Sequence, residues 1–343
     1  MADFVLDFGN ARIKWFEPRT NLYNDNRHAI VQLTETQWNA AIGRGKPKDG
    51  FIRVNGLPYV IGEAARRYLI PERPKGASRY RDVYYGVGLC YSLSEGFKRS
   101  MKNVTLIASH PPQDIIYARS LISAAKNNWQ VFSSYGELEF TIGEVLTFDE
   151  PLGGYSHFVF TEKGTEKKNN PLAAVTTLVI DAGGYTVDVA AIDAGGVIDT
   201  ISLRSTRTGV LDVLEQFEAE LRGNNATMFQ DTGDIDVKKI EQSLLSGEFR
   251  FGKNKIDCRR EADAALNGFV NEVVQIINAA GGVANYEVML LTGGGAALVY
   301  DRLCSALPRA EFLLAEPTML HMKYANVFGG AKIAAMLRQA GEL

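Results

Sequence analysis

Apolar residues along the chain cluster in short runs that end at glycine. Residues 4–8 form such a run, closed by Gly9-Asn10, which reads as a strand entering a turn. Residues 13–16 predict a second short strand, and residues 18–50 are polar with little pattern. Residues 51–54 and 59–61 flank Asn55-Gly56, the favoured two-residue hairpin turn. A helix is expected to begin over 62–69. Residues 82–101 repeat apolar positions at helical spacing, although Gly86, Gly88 and Gly96 weaken that helix. Residues 104–108 predict a buried strand ended by Ser109-His110-Pro111-Pro112, followed by a helix over 115–127. Further strands are expected at 131–132, 138–142 and 144–148.

Residues 163–171 are charged and polar and read as an exposed linker. Beyond them, 174–180 is an apolar, β-branched run of the kind found in buried central strands. Asp181-Ala-Gly-Gly-Tyr-Thr-Val-Asp188 follows, then strands at 189–193 and 197–203 around the turn Ala194-Gly195-Gly196. Residues 210–221, 237–245 and 261–280 carry apolar residues at helical spacing, the last stopped by Gly281-Gly282. A buried strand at 288–291 leads through Thr292 into Gly293-Gly294-Gly295 and a helix from Ala296. Residues 312–314 predict the last strand, and 326–330 open a final helix to Leu337.

The middle of the chain repeats its beginning. Leu6-Asp7-Phe8-Gly9 and Ile180-Asp181-Ala182-Gly183 each join one strand to the next, which points to a duplicated domain. Strands and helices mixed in this way, with glycine turns at strand ends, indicate α/β architecture. At 343 residues, with 46% apolar and 22% charged residues, the chain is long enough for two ordinary globular domains. A net charge of -3 argues against a broad nucleic-acid surface, so no direct nucleic-acid contact is expected. The three cysteines, Cys90, Cys258 and Cys304, make no CxxC pair, suggest neither zinc nor a disulfide framework, and fit a reducing compartment. The N-terminal segment lacks the basic and apolar regions of a signal peptide, and no apolar run approaches a membrane span. A cytoplasmic location is the expectation.

The chemistry lies in the glycine turns. A nucleoside triphosphate needs backbone N–H groups aimed at its oxygens and no side chain in the way, and glycine meets both needs. Gly9-Asn10, Gly183-Gly184 and Gly293–Gly295 each follow an apolar strand, and the first two have an aspartate two residues before the first glycine. An aspartate at a strand end beside a phosphate loop suits magnesium held through waters. Lys14 offers a positive charge to the phosphates, and Thr186 a hydroxyl. Each piece alone is an ordinary turn. Neither a GxxxxGK[ST] loop nor a full GxGxxG fingerprint is present.

In combination these segments resemble the actin, sugar-kinase and chaperone-ATPase superfamily. Asp7-x-Gly9-Asn10-x-x-x-Lys14 is similar to its phosphate-1 motif and Asp181-x-Gly183-Gly184-x-Thr186-x-Asp188 to its phosphate-2 motif. Leu290-Leu291-Thr292-Gly293-Gly294-Gly295-Ala296 is similar to its adenosine motif, and the stretch ending at Gly330 to its second connecting segment. The motifs run in family order over nearly the whole chain. The early Gly-Asn and the stretch from Glu261 through GGGAALVYDRL resemble the bacterial and archaeal actin-like proteins, above all the ParM type.

The resemblance implies an actin-like, ribonuclease H-like duplicated two-domain fold with a nucleotide cleft between its lobes. Domain I would take residues 1–170 with 321–343, and domain II residues 171–320. ATP is implied as the nucleotide, with GTP the alternative, and magnesium would be held by Asp7 and Asp181. Gly9, Asn10, Lys14, Gly183, Gly184, Tyr185 and Thr186 would surround the phosphates. Gly293, Gly294, Gly295 and Ala296 would pack under the adenosine, with Gly209, Lys239 and Gln242 closing the other side. Glu150 before Pro151 would orient the attacking water, with Asp149 the competitor, and Asp181 would join them in catalysis. The implied activity is Mg-dependent ATP hydrolysis coupled to assembly of a homopolymer filament for plasmid or DNA segregation or cytoskeletal organisation, with a separate DNA-binding adaptor. The alternative is a small-metabolite kinase, for which no convincing acceptor-binding set is visible. A chaperone-like switch would carry a further substrate domain after the ATPase, and the sequence reaches Leu343 without one.

Overall fold

The computed structural model describes residues 2–9, 11–43, 45–68, 82–112, 115–230, 233 and 235–343. They form two compact units, Met1–Ala174 with Ala315–Leu343 and Val175–Leu314.

The first unit is built on a nine-stranded sheet. Its strands are β1 (Ala2–Phe8), β2 (Arg12–Glu17), β3 (Leu22–Arg27), β4 (Ile30–Gln32), β5 (Phe51–Val54), β6 (Leu57–Ile61), β7 (Met101–His110), β8 (Asn128–Ser133) and β9 (Gly136–Asp149). They lie in the order β3-β2-β1-β7-β9-β8-β5-β6-β4. The central strands β1, β7 and β9 run parallel. Parallel strands are covered on both faces, so they read as near-continuous apolar runs rather than alternating ones. Phe4, Leu6 and Phe8 face one layer of the core and Val5 the other. Asp7 therefore shares the face of Val5 at the strand's C-terminal end.

The helices of this unit are α1 (Glu35–Ile42), α2 (Asp82–Phe97), α3 (Ile115–Ala124) and α4 (Glu150–Val159), with two more from the end of the chain. Helix α2 forms despite its three glycines because the sheet presses on them. A Cβ at Gly86 would lie 2.7 Å from Trp129, one at Gly96 2.6 Å from Phe4, and one at Gly88 would collide with Phe8. The two strands expected at 138–142 and 144–148 are one strand, β9, continuous through Gly143. The segment 62–69 begins as a short 3-10 helix, Gly62–Arg67.

Within the second unit, β10 (Thr177–Ala182), β11 (Val187–Ile192), β12 (Ile198–Ser205), β15 (Val288–Thr292) and β16 (Phe312–Leu314) form a five-stranded sheet ordered β12-β11-β10-β15-β16. Helices α5 (Val210–Asn224), α6 (Ala226–Phe229), α7 (Val237–Ser246), α8 (Arg259–Ala279) and α9 (Ala296–Ala306) accompany it. A hairpin of β13 (Glu248–Phe251) and β14 (Asn254–Asp257) stands apart and was not expected from the sequence. Helices α10 (Met319–Met322) and α11 (Ala325–Ala340) return the chain to the first unit. There α11 packs on Val5, Ile107 and Phe148 through Val327 and Ile333. It crosses α4 at glycines: a Cβ on Gly153 would lie 3.0 Å from the Asn326 Cα, and one on Gly329 would collide with the Gly153 carbonyl.

The two sheets repeat one construction. Strand β1 pairs antiparallel with β2 and parallel with β7, as β10 pairs antiparallel with β11 and parallel with β15. Asp7 stands opposite Lys14 and Ser109, while Asp181 stands opposite Asp188 and Thr292. The register of both aspartates is thus the same, seven residues from the antiparallel partner.

Candidate functional site

In the first unit the site begins at Asp7, one residue before the end of β1 and only 2% exposed. Lys14 Nζ donates to Asp7 Oδ2 at 2.8 Å across the β1–β2 pair. Gly9 follows, where a Cβ would lie 2.9 Å from the Arg12 carbonyl, so the turn is too tight for a side chain. Asn10 lies outside the described residues. Arg12 ion-pairs with Asp25 on β3, and Asp25 Oδ1 also accepts from Lys323 Nζ at 2.9 Å and from the Tyr324 hydroxyl at 2.6 Å. This hub ties β2 and β3 to the turn before α11, and nothing in the sequence pattern singled it out.

Asp149 and Glu150 mark the passage from β9 into α4. Asp149 occupies the cap position of α4, yet its side chain makes no cap bond. Instead Asp149 Oδ1 lies 3.4 Å from His110 Nδ1, at the paired position on β7. Burial pushes the Asp149 carboxyl above its ordinary range, against the pull of His110 and Arg119. Glu150 is buried in the first helical turn, with Pro151 beside it where proline is tolerated. Pro151-Leu-Gly-Gly, a composition that favours turns, is helical here, and its Gly153 admits the close approach of α11.

The second unit gathers three backbone segments around Asp181, which is 3% exposed. Gly183 N–H donates to the Thr186 carbonyl at 2.8 Å and closes the turn. Thr186 Oγ1 donates to Asp188 Oδ2 at 2.7 Å, and Tyr185 is buried. The first N–H groups of α5, from Val210 and Leu211, donate to the Gly183 and Gly184 carbonyls at 3.1 and 2.8 Å. That seats the start of α5 directly on the Gly183-Gly184 turn and explains Gly209. A Cβ there would lie 2.5 Å from Tyr185 N and 2.6 Å from Gly184.

The triple glycine closes the same cluster. Gly295 N–H donates to the Ala182 carbonyl at 2.8 Å, and a Cβ on Gly295 would lie 2.5 Å from Val210 Cγ2. Gly293 has φ +85, and a Cβ on it would strike Asp181 Oδ1. Gly294 is exposed and Ala296 opens α9. Asp181, Gly183, Gly184, Tyr185, Thr186, Gly209, Gly293, Gly295 and Ala296 are therefore brought together by direct contacts. Lys239 and Gln242 stand on α7, where Lys239 Nζ lies 4.6 Å over the Phe249 ring and Gln242 is exposed.

Sequence reasoning missed the two hydroxyls paired in register with the aspartates. Ser109 Oγ and Thr292 Oγ1 are buried with no hydrogen-bond partner. The duplication was the available signal, since both follow from aligning the neighbouring parallel strands.

Comparison with known proteins bears on this geometry. Residues 179–305 match the family of the archaeal actin homologue MreB-like, C-terminal domain. No curated protein matches the sequence. Among solved structures, the archaeal actin homologue Ta0583 superposes with a TM-score of 0.75 at 16% identity, over 97% of this chain and 99% of that one. Its complex with ADP gives 0.72 at 15% identity, with coverages of 97% and 99%. The ParM subunit of a 15-stranded filament from Clostridium botulinum gives 0.71 at 15% identity, covering 97% and 98%. ParM from Bacillus thuringiensis with ATP gives 0.68 at 12% identity, covering 99% of both chains. With its duplicated sheets and its second-unit match, the chain has the actin-like two-domain fold of the archaeal and ParM-type actin homologues.

Proposed function

We propose that this protein binds and hydrolyses Mg-ATP and assembles with further copies of itself into nucleotide-dependent filaments. The observation that carries the nucleotide reading is the repeated strand, Asp-x-Gly turn, strand, with each aspartate buried at the same register. Gly209, Gly293 and Gly295 let three backbone segments pack tightly around Asp181, which leaves Gly183, Gly184 and Gly294 at the accessible edge of the cluster as a surface without side chains, of the kind a nucleotide can approach closely. The ADP and ATP complexes of the similar structures favour the same reading, and the filament subunit favours self-assembly.

The roles follow the chemistry of each group. Asp7, Gly9, Asn10 and Lys14 would serve the phosphates from residues 1–170 with 321–343, proposed as domain I. Asp181, Gly183, Gly184, Tyr185 and Thr186 would do so from residues 171–320, proposed as domain II. Gly209, Gly293, Gly294, Gly295 and Ala296 would receive the nucleoside, with Lys239 and Gln242 at its edge. Among the described residues no three His, Cys, Asp or Glu side chains gather into a ready metal cage. A magnesium ion at Asp7 and Asp181 would therefore take most of its ligands from phosphate and water, and it supplies charge neutralisation at the phosphates. Glu150 would orient the attacking water. Asp149, engaged with His110, is the weaker candidate for that task. Lys14 would offset the charge that develops in transfer.

ATP is proposed over GTP. The cytoplasm is the proposed location, and among the described residues no helix is long and apolar enough to cross a membrane. A DNA-segregating or cytoskeletal role, with a separate DNA-binding adaptor, completes the proposal. The metabolite-kinase reading has no observation in its favour. Electron microscopy with a slowly hydrolysed ATP analogue tests the filament: ordered polymers are expected, and single particles at high protein concentration with nucleotide bound would refute assembly.

A further inference from the structure

His28 stands between β3 and β4 with its ring buried, 2% exposed. Its backbone N–H donates to the Ala11 carbonyl at 3.0 Å, which extends the β2–β3 pairing one step beyond Arg12 and Arg27. Its ring Nδ1 meets the Gly9 carbonyl oxygen at 2.9 Å. The ring also packs edge-on against Phe8, with centroids 4.5 Å apart. A carbonyl only accepts, so the ring nitrogen facing Gly9 carries the hydrogen. One residue from a different loop thus holds two carbonyls of the first Asp-x-Gly segment.

We propose that His28 is the positioning residue of this phosphate-1 segment, fixing the Gly9 and Ala11 carbonyls so that the segment is preformed for an anionic phosphate. The physical link is peptide planarity: holding the Ala11 carbonyl in place also directs the Arg12 N–H of the same peptide the opposite way. A ring bond supplies what the β-ladder alone does not, since the ladder contact ends at Ala11. Glycine at position 9 leaves the backbone soft, and the Nδ1–H bond removes that freedom. The ring's contact with Phe8, itself part of the core, anchors the donor to the rigid sheet. The inference rests on the nucleotide reading given above and assigns His28 no contact with the nucleotide.

Two variants separate donor from ring. His28→Phe keeps an aromatic ring against Phe8 and loses the donor, whereas His28→Asn keeps an amide donor near the place of Nδ1 and loses the ring. Calorimetric titration with Mg-ADP is expected to show affinity falling about tenfold in His28→Phe, equal to about 1.4 kcal/mol, and staying within about threefold of wild type in His28→Asn. Amide hydrogen exchange without nucleotide is expected to speed up over residues 8–15 in His28→Phe and not in His28→Asn. Wild-type affinity and exchange in His28→Phe, or equal impairment of both variants, would overturn the proposal. If the wild type binds no Mg-ADP, the nucleotide reading fails, while the exchange comparison still decides whether His28 holds the turn. Nitrogen-15 NMR of the unmodified protein guards against variants that do not fold. A slowly exchanging Nδ1–H is expected for His28, and an Nε2–H tautomer would overturn the assignment.

Discussion

Lys14 Nζ donates to Asp7 Oδ2 at 2.8 Å, joining the two charged residues of the first Asp-x-Gly segment across the β1–β2 strand pair. Asp7 is almost wholly buried, and the Lys14 side chain retains 17% exposure. Removing one partner of a buried pair leaves the other charge unpaired in a poor solvent, which is more costly than never having had the pair. Lys14→Ala is therefore expected to lower unfolding free energy by about 2 kcal/mol. Urea denaturation checks this, and a midpoint equal to wild type would show that Asp7 is satisfied without the lysine.

The cluster at Gly209 makes a sharper demand. A Cβ there meets the backbone of Gly184 and Tyr185 rather than a flexible side-chain end. Backbone cannot step aside without breaking the Val210 and Leu211 bonds to Gly183 and Gly184. Gly209→Ala is expected to destabilise the protein by about 3 kcal/mol, as overpacking does in a tight core. Gly196→Ala, in the turn between β11 and β12, whose Cβ would meet no atom within 4 Å, serves as a comparison. Its φ of +77 disfavours a Cβ, so a smaller loss of about 1 kcal/mol is expected. Equal losses for the two variants would contradict the packing account.

Glu150 and Asp149 are adjacent and differently engaged. Glu150→Ala is expected to keep ATP binding and slow hydrolysis by about 100-fold, the scale of a lost water-positioning carboxylate. Asp149→Asn is expected to change hydrolysis much less, because Asp149 faces His110. Steady-state phosphate release measured for both variants decides the assignment. A larger loss in Asp149→Asn would move the role to Asp149.

His157 gives the protein a pH dependence. Burial, aided by the nearby Lys332, lowers its pKa from 6.5 to about 4. The ring meets Glu316 at 3.0 Å and Lys332 at 3.4 Å, with Lys167 on its own carbonyl and Glu162 beyond Lys332. The unfolded chain binds a proton below about pH 6.5 that the folded chain refuses until about pH 4. Stability is thus fully present above pH 6.5 and falls as pH drops through that window. Between pH 7.5 and pH 5 the wild type is expected to lose about 2 kcal/mol more than His157→Asn. Parallel pH dependences in guanidinium melts of the two proteins would contradict this.

Much of this fold was legible because its signals are local. The strands around Asp7 and Asp181 are apolar runs stopped by glycine, and Gly281-Gly282 marks where the long α8 gives out. What was not legible depended on partners distant in sequence. Helix α2 looked weakened by Gly86, Gly88 and Gly96, and only the ring of Trp129 and those of Phe8 and Phe4 show why glycine is required there. Helix α4 was not read from the sequence, because Pro151-Leu-Gly-Gly carries no helical pattern and only the contact of α11 with Gly153 shows what the glycine serves. In the candidate site, the Asp-x-Gly turns were visible as motifs. Arg12 with Asp25, His110 with Asp149, and His28 with Gly9 join residues 13 to 39 positions apart, which no periodicity reveals.

The most direct test is an equilibrium titration of the protein with Mg-ATP, repeated in EDTA and with Asp181→Ala. The account predicts saturable binding that weakens at least about tenfold without magnesium and in Asp181→Ala, as expected when a carboxylate that helps hold the ion is lost. Absence of ATP binding by the wild type, or Asp181→Ala with undiminished Mg-ATP affinity, would contradict it.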